Sequence, residues 1–398
     1  MRRIRRAALL FLCLLCLLSG CGADRTPDVE PPGTPAAPAE VPTDPVPAEP
    51  AQSAPYSGMW TLQSVPLFDH ISLEEDLELQ VLGGSRGAVL VAVEGRLPET
   101  SPYYDDVRLE NGLTVYTDRV HLVSFPEGEV LRTVAFQGEP VCCIAGTVGA
   151  EAFALAVREF ATDGEEVPYQ IVCYSRSGED SRTAVEGTLP YERIPLQLVL
   201  TEPDGVVCTF GPREMGGPYG FLMAGRDGGE RGAYSIDPAD GSTDLEFLNA
   251  TLHQAGDGFL FGSYTDDVHT LVLGDSGGVV QEVQVEAEAD SSYSAAWADG
   301  NFLLARQGSI RLVDTAGETV AETGSAAGVY RLTGGDGIFM GRGGENLQAV
   351  TVTEAGVKAQ DTGIDSRYRE WFYMGEGRFL VWNYGDDTAA MLYNKPLG

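Results

Sequence analysis

The chain has 398 residues and a formal net charge of −33, with 43% hydrophobic residues. This size and hydrophobic content are ample for a packed core. The acidic balance argues against nucleic acid as a partner, because its recognition depends on a basic footprint. The charge instead favours cations, basic peptides or neutral ligands.

The first 20 residues have the layout of a secretory signal. Four arginines among residues 2–6 precede an unbroken apolar run, Ala7–Leu18. Twelve apolar residues are too few to cross a hydrocarbon core of about 30 Å, but they suit the central region of a signal peptide. The next residues, Leu18–Cys21, resemble the bacterial lipobox. That resemblance implies cleavage before Cys21, a diacylglycerol thioether on its sulfur, and acylation of the new amino terminus, for example with palmitate.

Residues 21–56 are predicted to be the lipidated Cys21 followed by a disordered linker. Ten prolines lie between Asp24 and Pro55, without hydrophobic periodicity. Such a segment cannot bury enough apolar surface to fold, and proline keeps it extended at about 3.1 Å per residue. It would therefore hold a domain up to roughly 100 Å from its lipid. Two or more acyl chains anchor a protein stably, so we expect the chain to stay on the extracytoplasmic side of the cell membrane. We also expect it to be a monomer. An ordinary secretory signal, with Cys21 there by chance, is the alternative.

Residues 57–398 are predicted to form repeated β-structure. An apolar strand recurs after a Gly-containing turn, with phenylalanines at 259, 302, 339 and 379. Earlier copies begin near Glu151 and Asp204, so residues 151–160 are predicted to be a strand rather than a helix. A second signal, a strand closing in a glycine turn, ends at residues 128, 178, 241, 277, 317, 356 and 398. Glycine supplies the positive φ that tight turns require.

A strand-rich repeat of about 40 to 50 residues is typical of a β-propeller. We predict seven blades of four antiparallel strands. Six or eight blades stay open, because residues 67–118 fit the repeat badly, and a pair of β-sandwiches is the alternative fold. The last blade lacks an outer strand, so residues 59–65 are predicted to complete the blade containing Phe379 and to close the ring. The repeats match no named motif family of propellers.

Four cysteines remain outside the signal and the lipobox: Cys142, Cys143, Cys173 and Cys208. None has the C-x-x-C spacing of a zinc or redox site. We favour small buried hydrophobic side chains. One disulfide is the alternative, and the sequence does not decide between the two.

The sequence predicts no catalytic, cofactor or metal site. Its histidines are His70, His121, His253 and His269, and no two have metal-ligand spacing. A G-x-S-x-G motif is missing, although a Ser-His-Asp triad can still assemble in space.

Paired aspartates follow a tyrosine in three places: Asp105-Asp106, Asp266-Asp267 and Asp386-Asp387. The last two are 120 residues apart, which corresponds to three blades. We interpret them as turn residues, because Asp hydrogen-bonds its own backbone. A Ca²⁺ site on one rim is the alternative, although the full D-x-D-x-D-G loop is lacking.

Residues 367–374 are dense in aromatic rings. We expect Trp371 and Phe372 to pack between blades. Tyr103, Tyr104 and Tyr368 are expected to be more exposed.

Two function classes stay open. The first is a non-catalytic, lipid-tethered propeller that binds a protein, peptide or glycan. The second is an extracellular carbohydrate-active enzyme, which needs two carboxylates about 5 to 10 Å apart, one with a raised pKa. A deep central pocket lined by acids would favour the enzyme, and a shallow or plugged channel the binding protein. We predict the binding protein.

Overall fold

The computed structural model describes residues 59–395 except 102–114, 139, 161–166, 190–196, 212–217, 237–249, 266–267, 287–293, 307, 325–328, 368 and 384–387. The predicted signal, Cys21, the linker and the outer domain limits at 57 and 398 lie outside these residues. The described residues form 28 strands and no helix, so none of their elements is an apolar helix of membrane-spanning length.

The strands form seven four-stranded antiparallel sheets, which are the blades of a propeller. The first three blades have these bounds. Blade 1 contains β2 (Glu78–Ser85), β3 (Ala88–Arg96), β4 (Val115–Ser124) and β5 (Val130–Ala135). Blade 2 contains β6 (Val141–Val148), β7 (Ala152–Glu159), β8 (Val167–Ser175) and β9 (Ser181–Leu189). Blade 3 contains β10 (Leu198–Thr201), β11 (Gly205–Phe210), β12 (Tyr219–Gly225) and β13 (Glu230–Ile236).

The remaining blades continue in chain order. Blade 4 contains β14 (Thr251–Ala255), β15 (Gly258–Thr265), β16 (Val268–Asp275) and β17 (Gly278–Glu286). Blade 5 contains β18 (Ser294–Ala298), β19 (Asn301–Arg306), β20 (Ser309–Val313) and β21 (Thr319–Gly324). Blade 6 contains β22 (Tyr330–Gly335), β23 (Ile338–Gly343), β24 (Asn346–Thr353) and β25 (Gly356–Asp365). Blade 7 contains β26 (Arg369–Gly375), β27 (Arg378–Asn383), β28 (Thr388–Lys395) and β1 (Met59–Ser64).

The predicted seven-bladed fold is therefore confirmed, including its closure. Strand β1 pairs antiparallel with β28, from Met59 opposite Lys395 to Ser64 opposite Ala390. Trp60 also contacts Phe379 edge-on, with ring centroids 6.4 Å apart. The first and last parts of the described chain thus share one sheet.

The core lies between the blades. Second strands are buried on both faces, as in β3, where all residues from Ala88 to Val93 are fully buried. The recurring phenylalanines have the same position in β15, β19, β23 and β27, and each is at most 1% exposed. Outer strands alternate between exposed and half-buried residues, as in β21. Neighbouring blades therefore cover the inner strands and leave one face of each outer strand in water.

The antiparallel order defines two ends of the ring. Turns between first and second strands, and between third and fourth strands, lie at one end, here called the turn face. Connections between second and third strands, and between successive blades, lie at the other end, here called the loop face. Residues 151–160 contribute strand β7, as predicted.

The recurring glycine turns mostly join the third and fourth strands, and at residues 128, 317 and 356 the glycine lies against the previous blade. At Gly128 (φ 78°), a side chain would overlap the carbonyl oxygen of Pro66, which follows β1 of blade 7. At Gly317 (φ 89°), a Cβ atom would lie 3.4 Å from the carbonyl oxygen of Gln284 in blade 4. Each such turn thus lies against the outer strand before it.

The structure corrects one of the predicted turns. The third and fourth strands of blade 3 are joined at residues 226–229, where Gly228 has φ 93°, and not at Gly241, which lies outside the described residues. The turn predicted at residue 398 also lies outside the described residues. The poor fit of residues 67–118 reflects a long connection in which Leu67 and Ile71 pack into the core between blades 7 and 1.

Candidate binding face

Three of the histidines, His121, His253 and His269, lie within strands. His121 lies inside β4, and its Nδ1 atom is 2.9 Å from the hydroxyl of Thr133. Burial lowers the pKa of His121, and it lowers those of His253 and His269 to about 4. Within the described part of the chain, no group of three His, Cys, Asp or Glu side chains is placed to hold a metal.

The four cysteines are free thiols inside the sheets. Burial raises the pKa of Cys173 to about 11 and that of Cys208 to about 12. Burial likewise raises the pKa of Cys142 and Cys143. A thiol reacts as a nucleophile through its thiolate, so these four groups have the properties of core residues.

The aromatic segment is part of the core, as expected for Trp371. Trp371 is 6% exposed, and its indole N–H donates to the carbonyl oxygen of Met340 in blade 6, at 3.1 Å. Phe372 is half-buried beside the core between blades 7 and 1. Tyr373 donates a hydrogen bond to Asp336. Tyr103, Tyr104, Tyr368 and all three aspartate pairs lie outside the described residues.

At the turn face, an ion pair joins two distant blades. Arg86 of blade 1 bonds to Asp257 of blade 4, with 2.8 Å between Nη2 and Oδ1. Both are turn residues between first and second strands, and these strands form the inner wall of the ring. Blades 1 and 4 are three apart in a ring of seven, so the pair crosses the mouth of the channel.

Neighbouring turns strengthen this crossing. The backbone N–H of Glu202 donates to the carbonyl oxygen of Asp257, at 2.8 Å. The guanidinium of Arg176 donates to the carbonyl oxygen of Gly149 at 3.1 Å and to that of Arg86 at 3.4 Å. Inner strands also approach closely, because a side chain at Gly83 would overlap the carbonyl oxygen of Gly146. Turns from blades 1 to 4 therefore obstruct this mouth.

The turns around that mouth carry negative charge. Each of the seven turns between first and second strands has a charged residue, and only blade 1 has a base, Arg86. The other six blades present exposed acids: Glu151, Asp204, Asp257, Asp299, Asp336 and Glu376. Such a ring attracts cationic groups to the turn face.

A groove of about 430 Å³ opens between blades 2 and 3 on the same face. Two ion pairs stiffen its blade 3 side: Arg226 with Glu202 at 2.9 Å, and Arg231 with Asp204 at 2.7 Å. The hydrogen bond from Arg231 lowers the pKa of the Asp204 carboxyl. The charged and hydroxyl side chains that line the groove are Glu151, Tyr174, Ser175, Asp180, Ser181, Arg182, Asp204, Arg226 and Asp227.

Two carboxyl groups lie next to each other toward the loop face of blade 1. Glu94 in β3 lies directly opposite Glu78 in β2. Burial, and secondly the charge of Glu78, raise the pKa of Glu94 to about 7. Glu78 is exposed and forms a 3.3 Å ion pair with Arg96. These are two neighbouring carboxyls, of which Glu94 has the raised pKa.

The sequence analysis did not identify Arg86 or Glu94. The sequence does contain one indication for Arg86. It stands in the turn between the first and second strands, where each of the other six blades has an acid. The partner of Arg86 lies 171 residues away, so no local pattern predicts the contact.

The chain is a seven-bladed β-propeller. It matches no protein family and no curated protein. Solved structures resemble it in architecture. BamB from Moraxella catarrhalis has a TM-score of 0.42 and 10% identity, covering 84% of this chain and 98% of that one. Kluyveromyces lactis Hsv2 has a TM-score of 0.49 and 8% identity, covering 79% and 93%. The WD40 propeller domain of Doa1 has a TM-score of 0.41 and 15% identity, covering 80% and 97%. At such identities the likeness concerns the fold alone.

Proposed function

We propose that this propeller is a lipid-anchored, extracytoplasmic and non-catalytic protein that binds a protein, peptide or glycan partner. The observation that carries the proposal is the obstructed mouth at the turn face, where Arg86 and Asp257 meet. An obstructed channel directs binding to the surface of the ring rather than to a deep pocket. The acidic turns make the turn face the favoured surface.

The chemistry of the described residues supports a non-catalytic role. The four thiols are poor nucleophiles because burial raises their pKa. His253 and His269, with pKa values of about 4, are neutral at pH 7 and poorly suited to accept a proton there. Binding requires none of these groups to react.

The binding role is tested by recovering a partner from the native cell envelope with the delipidated domain. We expect saturable retention of one specific component. The matched control is the same domain without residues 56–66, which should not hold the ring closed. Equal retention by both proteins, or none by either, would contradict the proposal.

The anchor is tested by metabolic labelling with an alkyne-bearing palmitate. We expect the wild-type chain to be labelled and to sediment with membranes. Cys21→Ala should lose the label and leave the membrane fraction, whereas Cys142→Ala should keep both properties. An unlabelled wild-type chain would exclude lipidation at Cys21.

A carbohydrate-active enzyme is the second candidate, and one observation favours it. Glu78 and Glu94 are neighbouring carboxyls, and the pKa of Glu94 is raised to about 7. A general acid paired with an ionised carboxylate is the requirement of most glycosidases. A reducing-sugar assay on cell-wall polysaccharides decides between the candidates. Turnover lost in Glu94→Gln would establish the enzyme, and no turnover by the wild type would reject this role for the substrates tested.

A further inference from the structure

Three valines lie exposed where blades 4 and 5 meet. Val280 is 63% exposed, Val320 is 54% exposed and Val279 is 44% exposed. All three stand at the beginning of an outer strand, just after a turn of the turn face. Exposed apolar side chains that cluster on a soluble protein mark interaction surfaces.

Contacts between the two blades join the segments that carry these valines. The side-chain amide of Gln281, next to Val280, donates to the carbonyl oxygen of Thr315 at 2.6 Å. Thr315 belongs to the turn that leads into Val320. A Cβ atom at Gly317 would also lie 3.4 Å from Val283. The outer strand of blade 4 therefore runs alongside the turn that precedes Val320.

The two segments that carry the valines are acidic. Residues 275–286 and 314–324 contain six acids and no lysine or arginine. Two arginines from outside these segments donate to their backbone: Arg231 to the carbonyl oxygen of Ser276 at 2.7 Å, and Arg311 to that of Glu286 at 3.4 Å. Five of these acids are exposed: Asp275, Glu282, Glu286, Glu318 and Glu322. We call Val279, Val280, Val320 and these five acids the blade 4–5 patch.

A second apolar cluster on the ring has a different charge. Val130 and Leu131 begin the outer strand of blade 1 and are 37% and 47% exposed. The exposed acids Glu127 and Glu129 precede them, and Arg132 follows them directly. This pair has the same position in its blade as the valines but surroundings of mixed charge, so it serves as a matched control.

We propose that the blade 4–5 patch docks a protein segment that combines lysine or arginine with apolar side chains. This inference rests on the proposed binding function and names its surface and the class of partner. Apolar side chains of the segment cover the valines, and its basic groups face the exposed acids of the patch. A second copy of this chain is disfavoured, because two such patches would bring like charges together.

The test measures the binding of defined peptides to the full-length chain, which is kept in detergent. The probe is a fluorescent 12-residue peptide of alternating Lys and Leu, with Lys/Ser and Glu/Leu peptides for comparison. Anisotropy titrations at about 0.15 M salt, where surface charges are partly screened, give the dissociation constants. We expect the Lys/Leu peptide to bind at least about tenfold more tightly than either comparison peptide, as a buried apolar anchor requires.

Two double variants localise the binding. Val280→Ser/Val320→Ser should weaken binding of the Lys/Leu peptide about tenfold, and Val130→Ser/Leu131→Ser should weaken it less than about twofold. Unchanged melting temperatures would show that both variants fold. Absent Lys/Leu binding, equal binding of the Lys/Ser peptide, or equal effects of the two variants would overturn the proposal. So would a wild-type dimer that the valine variant dissociates.

The same variants separate this inference from the proposed function. If Val280→Ser/Val320→Ser still retains the partner from the cell envelope, the chain is a binding protein but the patch is not its docking site. If no envelope partner exists and the peptide results hold, the patch stands and the proposed function fails.

Discussion

Blade 4 and blade 7 have the same strand order but are built differently from the chain. Blade 4 is a continuous meander from Thr251 to Glu286, and a short turn aligns its last two strands. Blade 7 takes its outer strand from the other end of the domain, with Met59 opposite Lys395 and no turn between them. Register in blade 4 is set locally, whereas register in blade 7 depends on pairing and packing alone.

The largest expected effect follows from removing the outer strand of blade 7. Deleting residues 56–66 removes β1 and exposes the edge of β28, so we expect the domain to unfold. Calorimetry or circular dichroism should show loss of the cooperative transition. A deletion of similar length inside the linker, residues 30–40, should leave the melting temperature unchanged. Unchanged melting of the 56–66 deletion would show that blade 7 closes without β1.

The next largest effect is a loss of folding stability that should differ between a turn at the blade 7–1 boundary and a turn at the blade 4–5 boundary. Gly128 and Gly317 both have positive φ, so alanine costs about 1 kcal/mol at each through backbone strain. Gly128→Ala also overlaps the carbonyl oxygen of Pro66, which adds about 1–3 kcal/mol. Urea unfolding should therefore show a larger loss for Gly128→Ala. Equal losses would show that the two boundaries are equally adaptable.

Acid should loosen blade 4 rather than blade 7. Blade 4 contains His253 and His269, whose folded pKa values are about 4, and blade 7 contains no histidine. The unfolded chain binds protons from about pH 6.5 downward, so the stability present above that pH is lost as pH falls toward 4. At pH 5 the loss is about 2 kcal/mol per histidine.

Hydrogen exchange at pH 7 and pH 5, corrected for intrinsic rates, measures this difference. Protection should fall in β14 to β17 and persist in β26 to β28. The control is His269→Gln, which should reduce the acid effect in blade 4. A uniform response of all blades would contradict the assignment of acid sensitivity to blade 4.

Glu94 in blade 1 acts with the opposite sign. Its pKa is raised to about 7, so its contribution to the stability of the fold is lost as pH rises through that value.

The smallest effect concerns the ion pair between blade 1 and blade 4. Asp257 is 76% exposed and Arg86 is 37% exposed, so water screens their attraction. We expect a coupling of about 0.5 kcal/mol in a double-mutant cycle of Arg86→Ala and Asp257→Ala. Arg231→Ala with Asp204→Ala, a pair within one blade, is the comparison. A coupling of zero for Arg86 and Asp257 alone would show that this ion pair does not stabilise the crossing in solution.

Much of the ring was readable from the sequence because blade signals are local. The repeated phenylalanine follows a turn, and the glycine turns mark where one blade lies against the next. The prediction of closure used only a missing strand at one end and a spare strand at the other. Blade 3 was misaligned because Gly241 follows a strand that alternates like the others, whereas the true turn lies at residues 226–229.

The candidate binding face was much less predictable. Arg86 and Asp257 meet through the circular arrangement of blades, which no local spacing encodes. The raised pKa of Glu94 depends on burial against neighbouring strands, so its sequence neighbours do not reveal it. The aspartate pairs and Cys21 lie outside the described residues, and their roles stay predictions.

Strand β1 has a mechanical consequence. Residue 59 is where the preceding chain enters the ring, so tension on that chain reaches the six residue pairs between β1 and β28 first. A pull along the strand loads these pairs together, whereas a pull across it separates them one by one from Met59. The direction of a pull on the chain before residue 59 would thus decide whether the six pairs bear the load together or separate in sequence.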